Sequence, residues 1–118
     1  MMRTVLSSLW FRWTAGLLSI LYMSGLYWLS DQPGVHAVPP FPGADKVVHC
    51  LLYFGLGTLL QVALKKRAIV LFLGVTYGIL DEIHQLYVPG RSCDPWDMVA
   101  DGVGILLGLL ITERILSA

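Results

Sequence analysis

The stretch DEIHQLYVPGRSCDPWDMVAD, residues 81–101, gathers five carboxylates, a histidine and an arginine in a chain of which only 14% is charged. Such groups can move protons, grip hydroxyl, amide or phosphate oxygens, or hold a hard cation. A second set lies upstream, where Asp45, His49 and Tyr53 recur at i, i+4 and i+8, one helical face, with Lys46 beside them. Gly78, Asp81, Glu82 and Gln85 follow the same logic at i, i+3, i+4 and i+7, and Gly74 extends that face one turn deeper. Asp94, Asp97 and Asp101 fall at i, i+3 and i+7 and continue into Gly104 and Gly108. These last two faces are glycine at one end and carboxylate at the other. Small residues let a neighbouring helix approach closely, just below the acids.

The elements that carry these faces follow from hydropathy. The chain has 118 residues, 56% of them hydrophobic, and a mean hydropathy of +0.69, the profile of an integral membrane protein. Its net charge is zero, which gives no electrostatic footprint for nucleic acid. Cys50 and Cys93 form neither a disulfide framework nor a zinc spacing. Residues 13–30 and 47–64 are charge-free runs of eighteen residues each, whereas 68–80 and 102–112 give only thirteen and eleven. Crossing a hydrocarbon core takes about 20 helical residues. The third helix must therefore continue to about Tyr87 and the fourth must begin near Asp94-Pro95, where an aspartate cap followed by proline suits a helix start.

The expected fold is all-α, a single membrane domain over 1–118 built as a four-transmembrane-helix bundle with helices at about 12–30, 45–64, 67–87 and 94–115. Asp45 is expected to cap the second helix. Residues 31–44 hold four of the six prolines and read as an external loop. Arg3, Arg12, Lys65, Lys66, Arg67 and Arg114 fall on one side, against Lys46 and Arg91 on the other, so both termini should be cytoplasmic. In a bacterial cytoplasmic membrane, a multi-pass protein of this kind would open its acidic pocket to the outside.

The order DKVVHCLLY at 45–53, DEIHQ at 81–85, GRS at 90–92 and DMVADGVGILLG at 97–108 resembles the VanZ-like family of small membrane proteins over roughly residues 40–110. The resemblance implies a cell-envelope role, the family being named for a member that confers low-level resistance to the lipoglycopeptide teicoplanin. It picks out Asp45, Lys46, His49, Tyr53, Asp81, Glu82, Gln85, Arg91, Asp97 and Gly104. Asp101 departs from the asparagine that the resemblance leads one to expect there.

A proton-coupled transporter using the acids as relays would have only Thr58, Gln61 and Thr76 below the pocket as a path and ranks last, behind two leading readings. In the first, Asp45, Lys46, His49, Tyr53, Asp81, Glu82, Gln85, Arg91, Asp97 and Asp101 bind an envelope lipid, a lipid-linked precursor or a lipoglycopeptide without transforming it. In the second, His49, Glu82 and Asp97 would be the catalytic groups of a lipid-phosphate hydrolase or transferase, with Arg91 neutralising the phosphoryl group. No cofactor is required by either, although Glu82, Asp97 and Asp101 could hold Mg²⁺ or Ca²⁺ through oxygen. His84 points about 60° off the Asp81 face and is expected at an interface instead. The glycines at 74, 78, 104 and 108 are read as packing residues. Self-association into a homo-oligomer is compatible with four short helices around a polar pocket.

Overall fold

The computed structural model describes residues 8–31, 44–89 and 94–117. They form four helices and are all-α: α1 (Leu9–Ser30), α2 (Ala44–Leu64), α3 (Arg67–Gln85) and α4 (Pro95–Ser117). Two of them start at a side-chain cap. Ser8 Oγ accepts from the Phe11 amide at 3.2 Å and caps α1. Asp94 Oδ1 accepts from the Trp96 amide at 3.0 Å and caps α4, with Pro95 in the first helical position. Asp45, by contrast, falls inside the first turn of α2, which starts at Ala44, so it does not precede that helix as a cap.

Lys65 and Lys66 alone separate α2 from α3. Lys65 takes φ 58°, the left-handed region that reverses a chain after a helix, and its amide still reaches the Gln61 carbonyl at 2.9 Å. The two helices must therefore run antiparallel. α3 stops at Gln85, two residues short of the expected Tyr87. Over the next three residues the amides of Leu86, Tyr87 and Val88 bond three positions back, at 3.1, 3.0 and 3.2 Å, a tightened turn leading to Pro89.

The closest packing is between α2 and α4, and glycine makes it possible. A Cβ on Gly104 would collide with the Cys50 carbonyl of α2, one on Gly108 with the Phe54 carbonyl, and one on Gly57 with the Ile105 backbone. The two backbones thus touch over two turns of α4. Gly74 on α3 leaves the space filled by the Ile105 side chain, and Ile105 and Leu109 are fully buried. α1 joins by hydroxyl bonds to half-buried backbone carbonyls: Tyr22 Oη donates to Leu52 O at 2.5 Å, and Tyr77 Oη donates to Met23 O. Arg12 Nε donates to Ala63 O at 3.1 Å, tying the start of α1 to the end of α2.

The distribution of polarity is inverted relative to a water-soluble domain. Gln61, Asp81, Glu82, Gln85, Asp97 and Asp101 are buried, while Trp13, Leu21, Leu51 and Phe72 stand more than 60% exposed. Among the described residues one segment, Lys46–Leu64, is by itself long and apolar enough to cross a membrane.

Adding a methyl group at Gly104 should force the backbones apart. We expect Gly104→Ala to destabilise the protein by about 1–3 kcal/mol. Gly25→Ala, where nothing lies within 4 Å of the new atom, should stabilise by roughly 0.5–1 kcal/mol through helix propensity. Thermal unfolding in detergent measures both; equal effects at the two sites would contradict the packing described.

Candidate functional site

α2, α3 and α4 bring their acidic or basic ends together at one end of the bundle. Lys46, His49 and Tyr53 come from α2, Asp81 and Glu82 from α3, and Asp94, Asp97 and Asp101 from the start of α4. Lys46 Nζ lies 2.6 Å from Asp94 Oδ2 and 2.8 Å from Asp97 Oδ1. One turn deeper, His49 Nδ1 is 2.8 Å from Asp101 Oδ1 and 3.9 Å from Glu82 Oε1, while its Nε2 is 3.6 Å from Asp97 Oδ2. Tyr53 Oη donates to Asp81 Oδ2 at 3.1 Å. Glu82 Oε2 accepts from the Asp94 amide at 3.2 Å, so the first turn of α4 holds a carboxylate of α3.

Exposure falls steadily from mouth to floor. The side chains of Asp94 and Lys46 are 36% and 31% exposed, His49 15%, Asp97 9%, Asp101 1% and Glu82 0%. In exposure alone the cluster is a funnel, with an ion pair at its rim and two buried carboxylates at its base. Asp101 fits there because Gly78 has no side chain; a Cβ on Gly78 would sit 3.1 Å from the Asp101 Cβ and 3.2 Å from its Oδ2.

Buried charge in such a place is costly unless matched. Among the described residues the cluster sets five carboxylates against Lys46 and His49. Glu82 Oε1, Asp81 Oδ1 and Asp101 Oδ2 are buried without a hydrogen-bond partner in the protein. The base of the funnel therefore offers lone pairs and negative charge. It suits a ligand that donates hydrogen bonds or carries positive charge.

Some expected site residues sit elsewhere. Gln85 is buried, but its Nε2 donates to Ser30 Oγ on α1 at 3.0 Å. His84 also turns to α1: its Nε2 lies 3.1 Å from Asp31 Oδ1 and its ring stacks on Tyr27 at 4.3 Å between centroids. Arg91 and the side chain of Asp45 lie outside the described residues. Asp94, read from sequence first as a cap, also pairs with Lys46. Ser30 and Tyr77 were not anticipated: α1 shows no motif, only an apolar span with interfacial aromatics, and Tyr77 on α3 lies off the spaced set of Gly78, Asp81, Glu82 and Gln85.

Comparison with known proteins gives one assignment. No curated protein and no solved structure matches the chain. The family model described as VanZ/LLP1 matches residues 3–116 and so takes in α1, α2, α3, α4 up to its last residue, and every residue of the cluster. By a match over nearly its whole length, the chain belongs to the VanZ/LLP1 family.

Proposed function

We propose that this is a multi-pass protein of a bacterial cytoplasmic membrane, with both termini cytoplasmic, whose funnel receives the polar headgroup of an envelope lipid, a lipid-linked precursor or a lipoglycopeptide at the outer leaflet. The observation that carries the reading is the stack of buried carboxylates and imidazole at one end of a bundle whose flanks are apolar. Charged groups at such depth cost several kcal/mol unless satisfied, and a ligand rich in donors satisfies them.

Other features support the same arrangement. The helices are 19–23 residues long, which at about 1.5 Å per residue is close to the roughly 30 Å of a hydrocarbon core. Trp28, Tyr87 and Trp96 are exposed at the funnel end, and Trp10 and Trp13 at the other, as interfacial belts would be. Arg12, Lys65, Lys66, Arg67 and Arg114 gather at the end away from the funnel, where Arg67 pairs with Glu113. Membership of the VanZ/LLP1 family suits an envelope or resistance context.

A groove of about 500 Å³ opens on the apolar flank between α1 and α3, lined by Ile20, Met23, Ser24, Tyr27 and Tyr77. The Tyr77 ring lies 6.3 Å from that of Tyr53, whose hydroxyl is bound to Asp81. An acyl chain in this groove would place its headgroup beside the cluster. Because the cluster is rich in acceptors, sugar hydroxyls, amides and ammonium groups suit it better than a bare phosphate.

The enzymatic alternative, a lipid-phosphate hydrolase or transferase, draws on one observation: His49 and Asp101 are paired at 2.8 Å, a base with its orienting carboxylate. Glu82 and Asp97 would be the acids beside it, and Arg91 the group for phosphate.

The two readings separate in nanodiscs loaded with a lipid-linked sugar-peptide precursor. We expect retention of intact precursor, and a loss of roughly tenfold or more in affinity, about 1.4 kcal/mol, in Glu82→Gln and Asp101→Asn. Unchanged binding in both variants would remove the funnel from ligand recognition; release of phosphate would favour the enzyme. Topology has its own check. An impermeant maleimide added to intact cells should label Cys93 but should reach a cysteine placed at Ser117 only after permeabilisation. The reverse pattern would invert the orientation.

A further inference from the structure

We infer that His49 Nδ1, Glu82 Oε1 and the Asp101 carboxylate form a three-ligand site for a divalent transition metal at the base of the funnel. The inference deepens the headgroup-binding reading, because it names what the deepest part of that site holds.

Convergence is the first support. One ligand atom from each of His49, Glu82 and Asp101 lies within 4.8 Å of the other two, and His49 Nδ1 is already 2.8 Å from Asp101 Oδ1 and 3.9 Å from Glu82 Oε1. Ligands about 2.1 Å from a common metal stand roughly 3–3.5 Å apart. Coordination would require side-chain adjustments that draw the three atoms together from separations of at most 4.8 Å. The metal would replace the proton that His49 shares with Asp101.

The second support is independent of the clustering. Glu82 is fully buried and Asp101 is 1% exposed, yet Glu82 Oε1 and Asp101 Oδ2 have no hydrogen-bond partner in the protein. Both carboxylates belong to the same cluster around His49. Two such anions are balanced by one divalent cation, which also occupies the idle lone pairs.

Two of the three ligands, moreover, have a neighbour at their other atom. Glu82 Oε2 is fixed by the Asp94 amide at 3.2 Å, leaving Oε1 for the metal. His49 Nε2 faces Asp97 Oδ2 at 3.6 Å, and Asp97 is anchored through Oδ1 by Lys46 at 2.8 Å. A carboxylate behind the non-ligating nitrogen is the arrangement that orients metal-binding histidines. It also changes the donor set expected from sequence: Asp97 stands behind the site, and an imidazole nitrogen takes its place.

The donors decide the class of metal. One imidazole with two carboxylates suits Mn²⁺, Fe²⁺, Co²⁺ or Zn²⁺, whereas Mg²⁺ and Ca²⁺ prefer oxygen alone. Three protein ligands leave coordination positions toward the mouth, where exposure rises to Lys46 and Asp94. An oxygen of the headgroup could bind there directly. An acidic funnel would then accept a phosphate or carboxylate that it otherwise repels.

The test is metal binding by the intact protein, stripped with chelator in detergent and titrated with Co²⁺ in the absence of lipid. We expect one equivalent bound with visible d–d absorption, displaced by Zn²⁺ but not by Mg²⁺. His49→Ala and Glu82→Gln should weaken Co²⁺ binding by roughly 100-fold or more, and Asp97→Asn, behind the imidazole, by about 10–100-fold. Wild-type protein that takes up no Co²⁺, or binds Mg²⁺ equally well, overturns the proposal whatever the variants do. So does a folded His49→Ala protein with unchanged Co²⁺ affinity. The metal and headgroup readings fail separately: Co²⁺ uptake without precursor binding would refute only the latter, and precursor binding by protein that takes up no Co²⁺ only the former.

Discussion

The contact between the backbones of α2 and α4 sets the rest of the molecule. Gly57, Gly104 and Gly108 carry no Cβ where one would strike the facing chain, so the two helices lie against each other over two turns. His49 stands one helical turn before Tyr53 on α2, and Asp97 and Asp101 stand one turn apart on α4. At a wider separation the imidazole could not lie 2.8 Å from one carboxylate and 3.6 Å from another. The site is thus a product of backbone proximity established just beneath it, where the missing Cβ atoms let the two helices meet.

α3 completes the funnel by the same device at lower intimacy. Gly74 receives Ile105 and Gly78 receives Asp101, so the glycines of one helix seat the larger side chains of another. Glu82 is then placed where the first turn of α4 can hold it through the Asp94 amide. A helix start that caps itself with Asp94, pairs with Lys46 and donates to Glu82 couples three helices at a single point. α1 has a different role. It covers α2 and α3 through Tyr22 and Tyr77 and takes up Gln85 and His84 through Ser30 and Asp31. Together these contacts leave an apolar core of Leu56, Leu60, Ile105 and Leu109, a buried polar cluster at one end of it, and many large apolar side chains exposed on the outside.

Helix number and type were legible because hydropathy and charge placement leave little choice. Runs of eighteen uncharged residues, proline and glycine at the breaks, and an Asp-Pro start at 94–95 each speak for themselves. The end of α3 was less legible, since a length argument carried it to Tyr87 while the chain tightens after Gln85. The cap expected at Asp45 fell inside the first turn for a similar reason: an aspartate near a helix start fits several of its first positions.

Spacing alone put His49 and Tyr53 on one face, Asp81 and Glu82 on another, and Asp97 and Asp101 on a third, and the glycine rows below them indicated that these faces could meet. Helical periodicity is a local property, so the sequence determined it without help. What periodicity leaves undetermined is which atom meets which. Only the packed bundle decided that Gln85 turns to Ser30 while Glu82 turns to His49, though both lie on one face of α3. Only the packed bundle placed Asp97 behind the imidazole and Asp101 before it, because the choice depends on the distance between two glycine-lined backbones and on the rotation of each helix about its axis.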